Sequence, residues 1–424
     1  MNILFINNGP IEYNQTKAFL KKIKKNYSVG LKNNMSLLLP KQLLNRALKG
    51  FGSNEKRFPL GIGYLSSVLK MDGHIVDLVD RYAMPREPLG LINEYDFIGI
   101  YASTPCFDDA LNIINDIDIS GYKGAIAVGG PHASIMPETI PDRVNYIVQG
   151  EGEYVINDLV KGKYKSGSII KTQRIKNLDD LPRVDYDLFF NKKRPYHFDF
   201  PFSDKTPIFN MNTSRSCPYN CSFCGVQKIW GKLWTSQSPD RIIDDIKYLK
   251  NKYNIAGVYF REDYFLVNKK RIYELCEKMI KEHLNIIWSC ETRVDNMDEE
   301  YIALMAKSGC VGFYVGAESG SQRMLEYYNK QIDVSDIIKT CNLAHKYGIS
   351  IAMSLIVGNN IETYTDRYNT WNVVRKSKPE MLFTNVYRDE KELFGEVEYK
   401  KYKQRDVILS EYSNGTWSGQ SDRV

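Results

Sequence analysis

The stretch Asn212-Thr-Ser-Arg-Ser-Cys217-Pro-Tyr-Asn-Cys221-Ser-Phe-Cys224-Gly225 decides how the whole chain is read. Three cysteines, separated by three and then two residues, can wrap one compact inorganic centre. They supply three thiolates to an iron–sulfur cubane that needs four ligands. The deficit leaves one iron open to chelate a small molecule. Zinc is the plainer alternative, but zinc sites usually close with four Cys or His ligands. No fourth cysteine lies near the loop, and the nearest histidines are His197 and His283. The remaining cysteines, at 106, 276, 290, 310 and 341, sit singly in apolar segments and read as small buried hydrophobes.

On the C-terminal side of this loop, short apolar runs alternate with amphipathic segments. Strands are expected at Ile208–Asn212, Gly257–Phe260, Ile286–Cys290, Gly312–Val315, Ser350–Val357 and Met381–Val386, and helices at 239–252, 269–283, 298–308, 333–347 and 361–377. Six strand–helix units fall short of the eight that close a barrel, so residues 206–388 read as an open, partial (β/α)6 barrel. The cysteine loop follows its first strand, on the face where such barrels gather ligands.

On the N-terminal side, residues 1–160 show the same alternation. Strands are expected at Ile3–Ile6, Ile75–Val79, Phe97–Tyr101, Ala125–Val128 and Tyr146–Val148, with helices at Gly61–Lys70 and Phe107–Ile117. Apolar strands separated by helices imply an α/β, doubly wound (Rossmann-like) parallel sheet. Residues 11–57 are too long for a simple crossover and carry a Lys-rich piece, Lys17 to Lys25, read as an insertion with a solvated face. Residues 161–205, with Pro182, Pro195 and Pro201, read as an extended linker. The tail from 389 to 424 reads as a short C-terminal segment with a disordered end.

The 424 residues carry 57 basic and 51 acidic side chains, a formal charge of +6. That excess suits anionic ligands but falls short of a nucleic-acid signature. No run reaches the roughly 20 apolar residues of a membrane span. The first ten residues read as a buried strand rather than a signal peptide, which points to the cytoplasm.

The Cys-x3-Cys-x2-Cys loop, with Phe223 before its last cysteine, resembles that of the radical S-adenosylmethionine (SAM) superfamily. The resemblance implies a [4Fe–4S] cluster on Cys217, Cys221 and Cys224, whose open iron binds SAM. Reductive cleavage then gives a 5′-deoxyadenosyl radical, driven by an external reductant of flavodoxin or ferredoxin type. It further implies SAM contacts from Phe223, from Glu262 in Glu262-Asp263, from Arg293, and from Glu318 and Ser319 in Gly316-Ala-Glu-Ser-Gly320. One departure stands out: Val357-Gly-Asn-Asn-Ile-Glu-Thr363 lacks the proline common in the family's corresponding turn, which puts that loop's shape in question.

In the N-terminal half, Pro59-Leu-Gly-Ile-Gly-Tyr-Leu65, Val128-Gly-Gly-Pro-His-Ala133 and Gln149-Gly-Glu-Gly-Glu153 resemble the cobalamin-binding class of that superfamily. This implies a cobalamin site at Ser103, Thr104, Gly129, Gly130, His132, Gly150 and Glu151. The plainer reading is that the glycines only shape turns. His74 in Asp72-Gly-His-Ile-Val-Asp77 partly matches a cobalt-ligand motif, but Asp77 replaces its glycine and the segment precedes the second strand. His74 therefore reads as a strand-entry residue, and cobalt is expected to lack a histidine on its lower face.

The leading expectation is a methyltransferase acting on an unactivated carbon or a phosphinate phosphorus of a small-molecule or peptide substrate. A rearrangement, cyclisation or oxidation with the same cofactors is the alternative. A non-enzymatic cobalamin or iron–sulfur sensor is the remote one. A methylthiotransferase would need three cysteines in the N-terminal domain, where residues 1–200 hold only Cys106. No catalytic side chain beyond the cluster ligands is nominated.

Overall fold

The computed structural model describes residues 1–10, 56–196, 198–199 and 201–387. The Lys-rich insertion, but for its last two residues, and the C-terminal segment lie outside the described residues.

Two six-stranded sheets form the frame, and every pairing within them is parallel. The first contains β1 (Asn2–Asn7), β2 (Ile75–Asp80), β3 (Phe97–Tyr101), β4 (Ala125–Gly129), β5 (Tyr146–Gln149) and β6 (Ser168–Lys171), in the order β2-β1-β3-β4-β5-β6. Its central strands are covered on both faces, which is why β1 and β3 are near-continuous apolar runs. Helices α1 (Leu60–Met71) and α2 (Phe107–Ile119) flank it, each burying one apolar stripe. This order places the topological switch point between β1 and β3, where doubly wound folds bind ligands.

The second sheet holds β7 (Ile208–Met211), β10 (Gly257–Phe260), β11 (Ile287–Thr292), β12 (Cys310–Glu318), β13 (Ser350–Val357) and β14 (Met381–Val386) in sequential spatial order. Its two edges stay apart, as expected of a partial barrel. Between β7 and β10 lie a small antiparallel pair, β8 (Ser214–Arg215) with β9 (Thr235–Ser236), and a short helix, α3 (Val226–Trp230). The outer helices are α4 (Pro239–Tyr253), α5 (Lys269–Lys281), α6 (Glu299–Lys307), α7 (Val334–Lys346) and α8 (Tyr364–Ser377). Their starts are set locally: Ser238, Asn268 and Asp298 each cap a backbone N–H three residues on, and Thr363 and Asp366 form a reciprocal capping box.

One expectation needs correction, and the turn in question takes a definite shape. Residues 161–205, expected as an extended linker, contribute a strand and buried side chains. Ser168–Lys171 pairs with β5 as a sixth strand, and Tyr186, Phe189 and Tyr196 are buried beside Phe58 and Phe209. One apolar cluster therefore runs from Ile3 in the first sheet to Val374 in α8. The turn that lacks the expected proline is built by Asn359, whose side chain accepts from Ile361 N (3.1 Å) and whose carbonyl accepts from Glu362 N (3.0 Å). Among the described residues no helix is long and apolar enough to cross a membrane.

Candidate functional site

The cysteine loop begins where β8 ends. Cys217 and Cys221 are half-buried and Cys224 is exposed, and all eight cysteines of the chain are free thiols. Burial raises the Cys217 thiol, with Cys221 and Asp263 adding to the rise. The Cys224 thiol is pushed up to about 11, by desolvation first and then by Cys221, Asp263 and Cys217. Cys221 thus raises both of the other thiols of the motif, a repulsion that a metal centre removes by taking them as thiolates. Among the described residues no three His, Cys, Asp or Glu converge closely enough for a single ion. Three thiolates with no fourth Cys or His in the loop match the donor set of a cubane with one open iron, whereas a structural zinc site closes with four ligands.

Around the loop stands a shell of buried charge. Glu262 is 3% exposed; Thr213 N (2.5 Å), Thr213 Oγ1 (2.6 Å) and Ser214 Oγ donate to it. Its carboxylate pins the start of the loop rather than facing a ligand space. Asp263, next in the chain, turns towards the cysteines; it accepts from Ser216 N (3.0 Å), and desolvation pushes it up to about 6. Arg293 lies on the Tyr219 ring, 3.7 Å from its centroid, and pairs with Asp295 (2.7 Å). It also donates to the carbonyls of Lys330 (2.5 Å) and Gln331 (3.3 Å), and its Nη1 is 3.8 Å from Cys221 Sγ.

Glu318 sits at a register shift between β12 and β13 with a left-handed backbone, φ 62°. The bulge aims its carboxylate at Lys330 Nζ, 2.8 Å away. A Cβ on Gly316 would collide with both groups, which explains the glycine that opens that motif. Lys330 Nζ also lies 5.7 Å from the centroid of Phe223, so Phe223, Glu318 and Lys330 form one group beside Cys224. Ser319, expected at SAM, is 1% exposed; its hydroxyl is shared with Thr370 (3.2 Å) and accepts from Ser321 N (3.1 Å), away from that group.

A cavity of about 590 Å³ opens along the carboxyl edge of the first sheet. Asn7, Tyr101, Ser103, Gly129, Gly130, Gly150 and Glu151 line it, and it reaches Asn212, Arg215 and Trp230 at the mouth of the barrel. A Cβ on Gly129 would meet nothing closer than 3.8 Å, and one on Gly61 nothing within 4 Å, so both glycines leave open cradle. Gly130 (φ 101°) and Gly150 (φ 97°) are held in conformations that side chains disfavour. An apolar cleft with a few polar groups at a switch point fits a large planar cofactor such as a corrin.

Two expected cobalamin contacts, Thr104 and His132, lie off the cavity, and a third, Glu151, borders it with its carboxylate already engaged. His132 stacks on Phe107 (3.6 Å between centroids), and its ring nitrogens pair with Thr104 Oγ1 (3.2 Å) and Thr139 Oγ1 (2.8 Å). Burial lowers its pKa to about 4, so it is a neutral packed side chain. Thr104 is turned to His132 and neither lines the cavity, although Ser103 and Pro105 do. The carboxylate of Glu151 is fully buried in ion pairs with Arg174 and Arg215 (2.6 Å each). His74 stands just before β2 as expected, and among the described residues no histidine lines the cavity.

Sequence reasoning missed Lys330, Asp263, Arg215, Arg174 and Trp230. It also missed a lumen group in which Tyr259 Oη donates to Glu291 Oε1 (2.5 Å) and the Tyr259 ring stacks on Tyr314 (5.0 Å). Asp263 was visible beside Glu262, and Arg215 lay inside the deciding stretch. Lys330 had no local signal.

Comparison with known proteins gives two family matches: the radical SAM superfamily over residues 211–372 and the B12 binding domain over 55–160. An uncharacterized methyltransferase of Pyrococcus horikoshii is 30% identical over 330 residues, 72% of this chain and 70% of that protein. An anaerobic magnesium-protoporphyrin IX monomethyl ester cyclase of Rubrivivax gelatinosus is 25% identical over 360 residues, covering 78% of this chain and 64% of its own. The structure of the radical SAM methyltransferase TsrM from Kitasatospora setae, with cobalamin and a [4Fe–4S] cluster bound, aligns with a TM-score of 0.64 at 13% identity. That alignment covers 91% of this chain and 72% of the other, a likeness of fold.

Proposed function

Because this chain belongs to the radical SAM superfamily, in the class that also carries a B12-binding domain, we propose that it transfers a methyl group to an unactivated carbon, or a phosphinate phosphorus, of a small-molecule or peptide substrate. It is an enzyme of that class, with a [4Fe–4S] cluster, SAM and cobalamin as cofactors. Bound there, SAM and the cluster supply hydrogen abstraction and the corrin supplies a methyl group.

The observation that carries the reading is the cavity that runs from the carboxyl edge of the first sheet to the residues flanking the cysteine loop. Cys217, Cys221 and Cys224 hold the cluster, and Arg293 braces the loop through Cys221 and the Lys330 carbonyl. Phe223, Glu318 and Lys330 form the SAM side, where the Lys330 ammonium and the Glu318 carboxylate are complementary to SAM's carboxylate and its hydroxyl and amino groups. Gly129, Gly130, Gly150 and Ser103 line the corrin side. The apolar walls exclude water from the space between, where the substrate enters.

The electron comes from an external flavodoxin- or ferredoxin-type reductant in the cytoplasm, a compartment that suits eight free thiols. A cavity of about 700 Å³ borders the loop at Pro218 and Tyr219, and Tyr219 reaches Cys221 through Arg293. That face, with Cys224 exposed beside it in the loop, gives a reductant access to the cluster.

The test is the visible spectrum of anaerobic protein reconstituted with iron and sulfide and offered hydroxocobalamin. Both chromophores are expected. Alanine at any of the three cysteines removes iron and deoxyadenosine formation, and Gly129→Leu, which fills the cradle, removes corrin alone. Iron loading and SAM cleavage that survive the cysteine changes overturn the reading. The cyclase relative favours a second outcome with the same cofactors, marked by deoxyadenosine without methylated product.

A further inference from the structure

Arg215 lies two residues before Cys217, yet its guanidinium points away from the cluster loop into the other half of the molecule. It bonds Glu151 Oε1 and Glu153 Oε1, each at 2.6 Å, in the loop that follows β5. The three side chains are 6%, 0% and 5% exposed. The second oxygen of Glu151 pairs with Arg174 Nη1 (2.6 Å) and accepts from Ile175 N (2.6 Å). Arg174 Nη2 in turn donates to Leu233 O (3.1 Å) and Thr235 Oγ1 (3.2 Å), and Thr235 pairs with Arg215 across β8 and β9. The contacts thus close into a ring that passes through both halves. Trp230, which ends the helix after Cys224, lies 5.2 Å from Arg174 Cζ and 5.7 Å from Arg215 Cζ, measured to its ring centroid.

Two buried carboxylates, Glu151 and Glu153, face the buried guanidinium of Arg215. Such buried ion pairs are poor sources of net stability, and their best-attested use is to fix one register against others. Here the register is the placement of the cysteine loop on the first sheet. Arg215, Glu151, Glu153 and Trp230 all border the 590 Å³ cavity, so any slide of the loop breaks a buried charge-assisted bond and reshapes that cavity.

We propose that Arg215, held by Glu151 and Glu153, is a positioning residue that locks the cluster loop to the corrin cavity, so that filling either cofactor site orders the other. The inference rests on the cofactor assignment above. Coupling between two binding sites is reciprocal, so it is measurable as binding without turnover.

Hydroxocobalamin is titrated, by its absorbance, into full-length protein with a reconstituted cluster and into the same protein stripped of iron by a chelator. About tenfold tighter binding is expected with the cluster, within the usual range of site–site coupling. In Glu153→Gln, which keeps the shape and removes the charge, and in Arg215→Lys, which cannot span two carboxylates, the ratio falls to about twofold or less. Iron content is measured in each sample. If Arg215→Lys does not fold, Glu153→Gln carries the comparison. Equal affinities in the two forms of the unaltered protein overturn the proposal, as does an undiminished ratio in Glu153→Gln. No corrin binding in either form sinks the cofactor assignment instead.

Discussion

Lys330→Met isolates the electrostatics of the SAM side. Lys330 and Glu318 are 6% and 9% exposed at the side chain, and their charged atoms stand 2.8 Å apart. At that separation the gross attraction is about 6 kcal/mol for an effective dielectric constant of about 20. Desolvation of the two groups offsets most of it. Removing one partner leaves the other carboxylate buried without its counter-charge, so Lys330→Met is expected to destabilise the protein by about 3–5 kcal/mol. Removing both charges in Lys330→Met/Glu318→Gln should recover at least about 2 kcal/mol of that loss, since the change that hurts is the unpaired charge rather than the missing pair. Urea unfolding of the parent, Lys330→Met, Glu318→Gln and the double variant, followed by tryptophan fluorescence, measures the cycle; the five tryptophans include fully buried Trp288 in β11. A double variant no more stable than Lys330→Met refutes the pairing as the source of the loss.

The buried histidine predicts a pH dependence. The folded pKa of His132 is about 4, below the ordinary value of 6.5, because burial disfavours the charged ring. Its contribution is therefore complete above pH 6.5 and is lost as the pH falls towards 4, by up to about 3 kcal/mol. His132→Gln should be less stable than the parent at pH 7.5, with the gap narrowing by pH 4.5; a constant gap in urea midpoint counts against a neutral packed ring. Gly320→Ala tests the last glycine of the Gly-x-Glu-Ser-Gly segment. A Cβ there would lie 2.5 Å from Thr370 Cα and 2.7 Å from Asn369 O, backbone of α8 that cannot step aside. A loss of about 2–3 kcal/mol is expected on thermal or urea unfolding, and a neutral substitution contradicts the close helix approach.

What could be read from the chain was what is encoded locally. Fully buried parallel strands are short apolar runs, so β3, β10, β13 and β14 coincide with the expected spans to the residue. The cluster ligands lie within eight positions of one another, and their spacing alone states the donor set. By contrast, β6 is a four-residue edge strand, Ser-Ile-Ile-Lys, with only Ile170 buried, and it carries too little apolar pattern to stand out from a polar stretch. The misplaced side chains fail for a different reason. His132, Thr104 and Ser319 each occur in a motif that borders a ligand space, but direction is set by partners elsewhere: Thr139 for the histidine, Thr370 for the serine. A motif fixes where the backbone passes and leaves the rotamer to tertiary packing.

The same distinction explains how the site is held together. Asn7 and Gly129 end strands of the first sheet and Ser103 and Gly150 follow others, while Asn212 and Arg261 follow strands of the second, and all six border one cavity. Two parallel sheets thus present carboxyl ends to a shared space, so their separation decides whether groups bound on either side can meet. The aromatic seam of Phe58, Phe189, Tyr196 and Phe209 resists changes in that separation, because interdigitated rings are packed at crystal-like density. Within it the Asn210 side chain accepts from Phe58 N (3.2 Å) and donates to Phe58 O (3.1 Å), which fixes the offset of Phe58 on β7. Charge adds a second directional constraint at the cluster loop: Arg215 must meet two carboxylates at once, and a guanidinium fork satisfies that at one offset only. Packing sets the gap between the halves, and the Asn210 bonds and the buried ion pairs set their alignment.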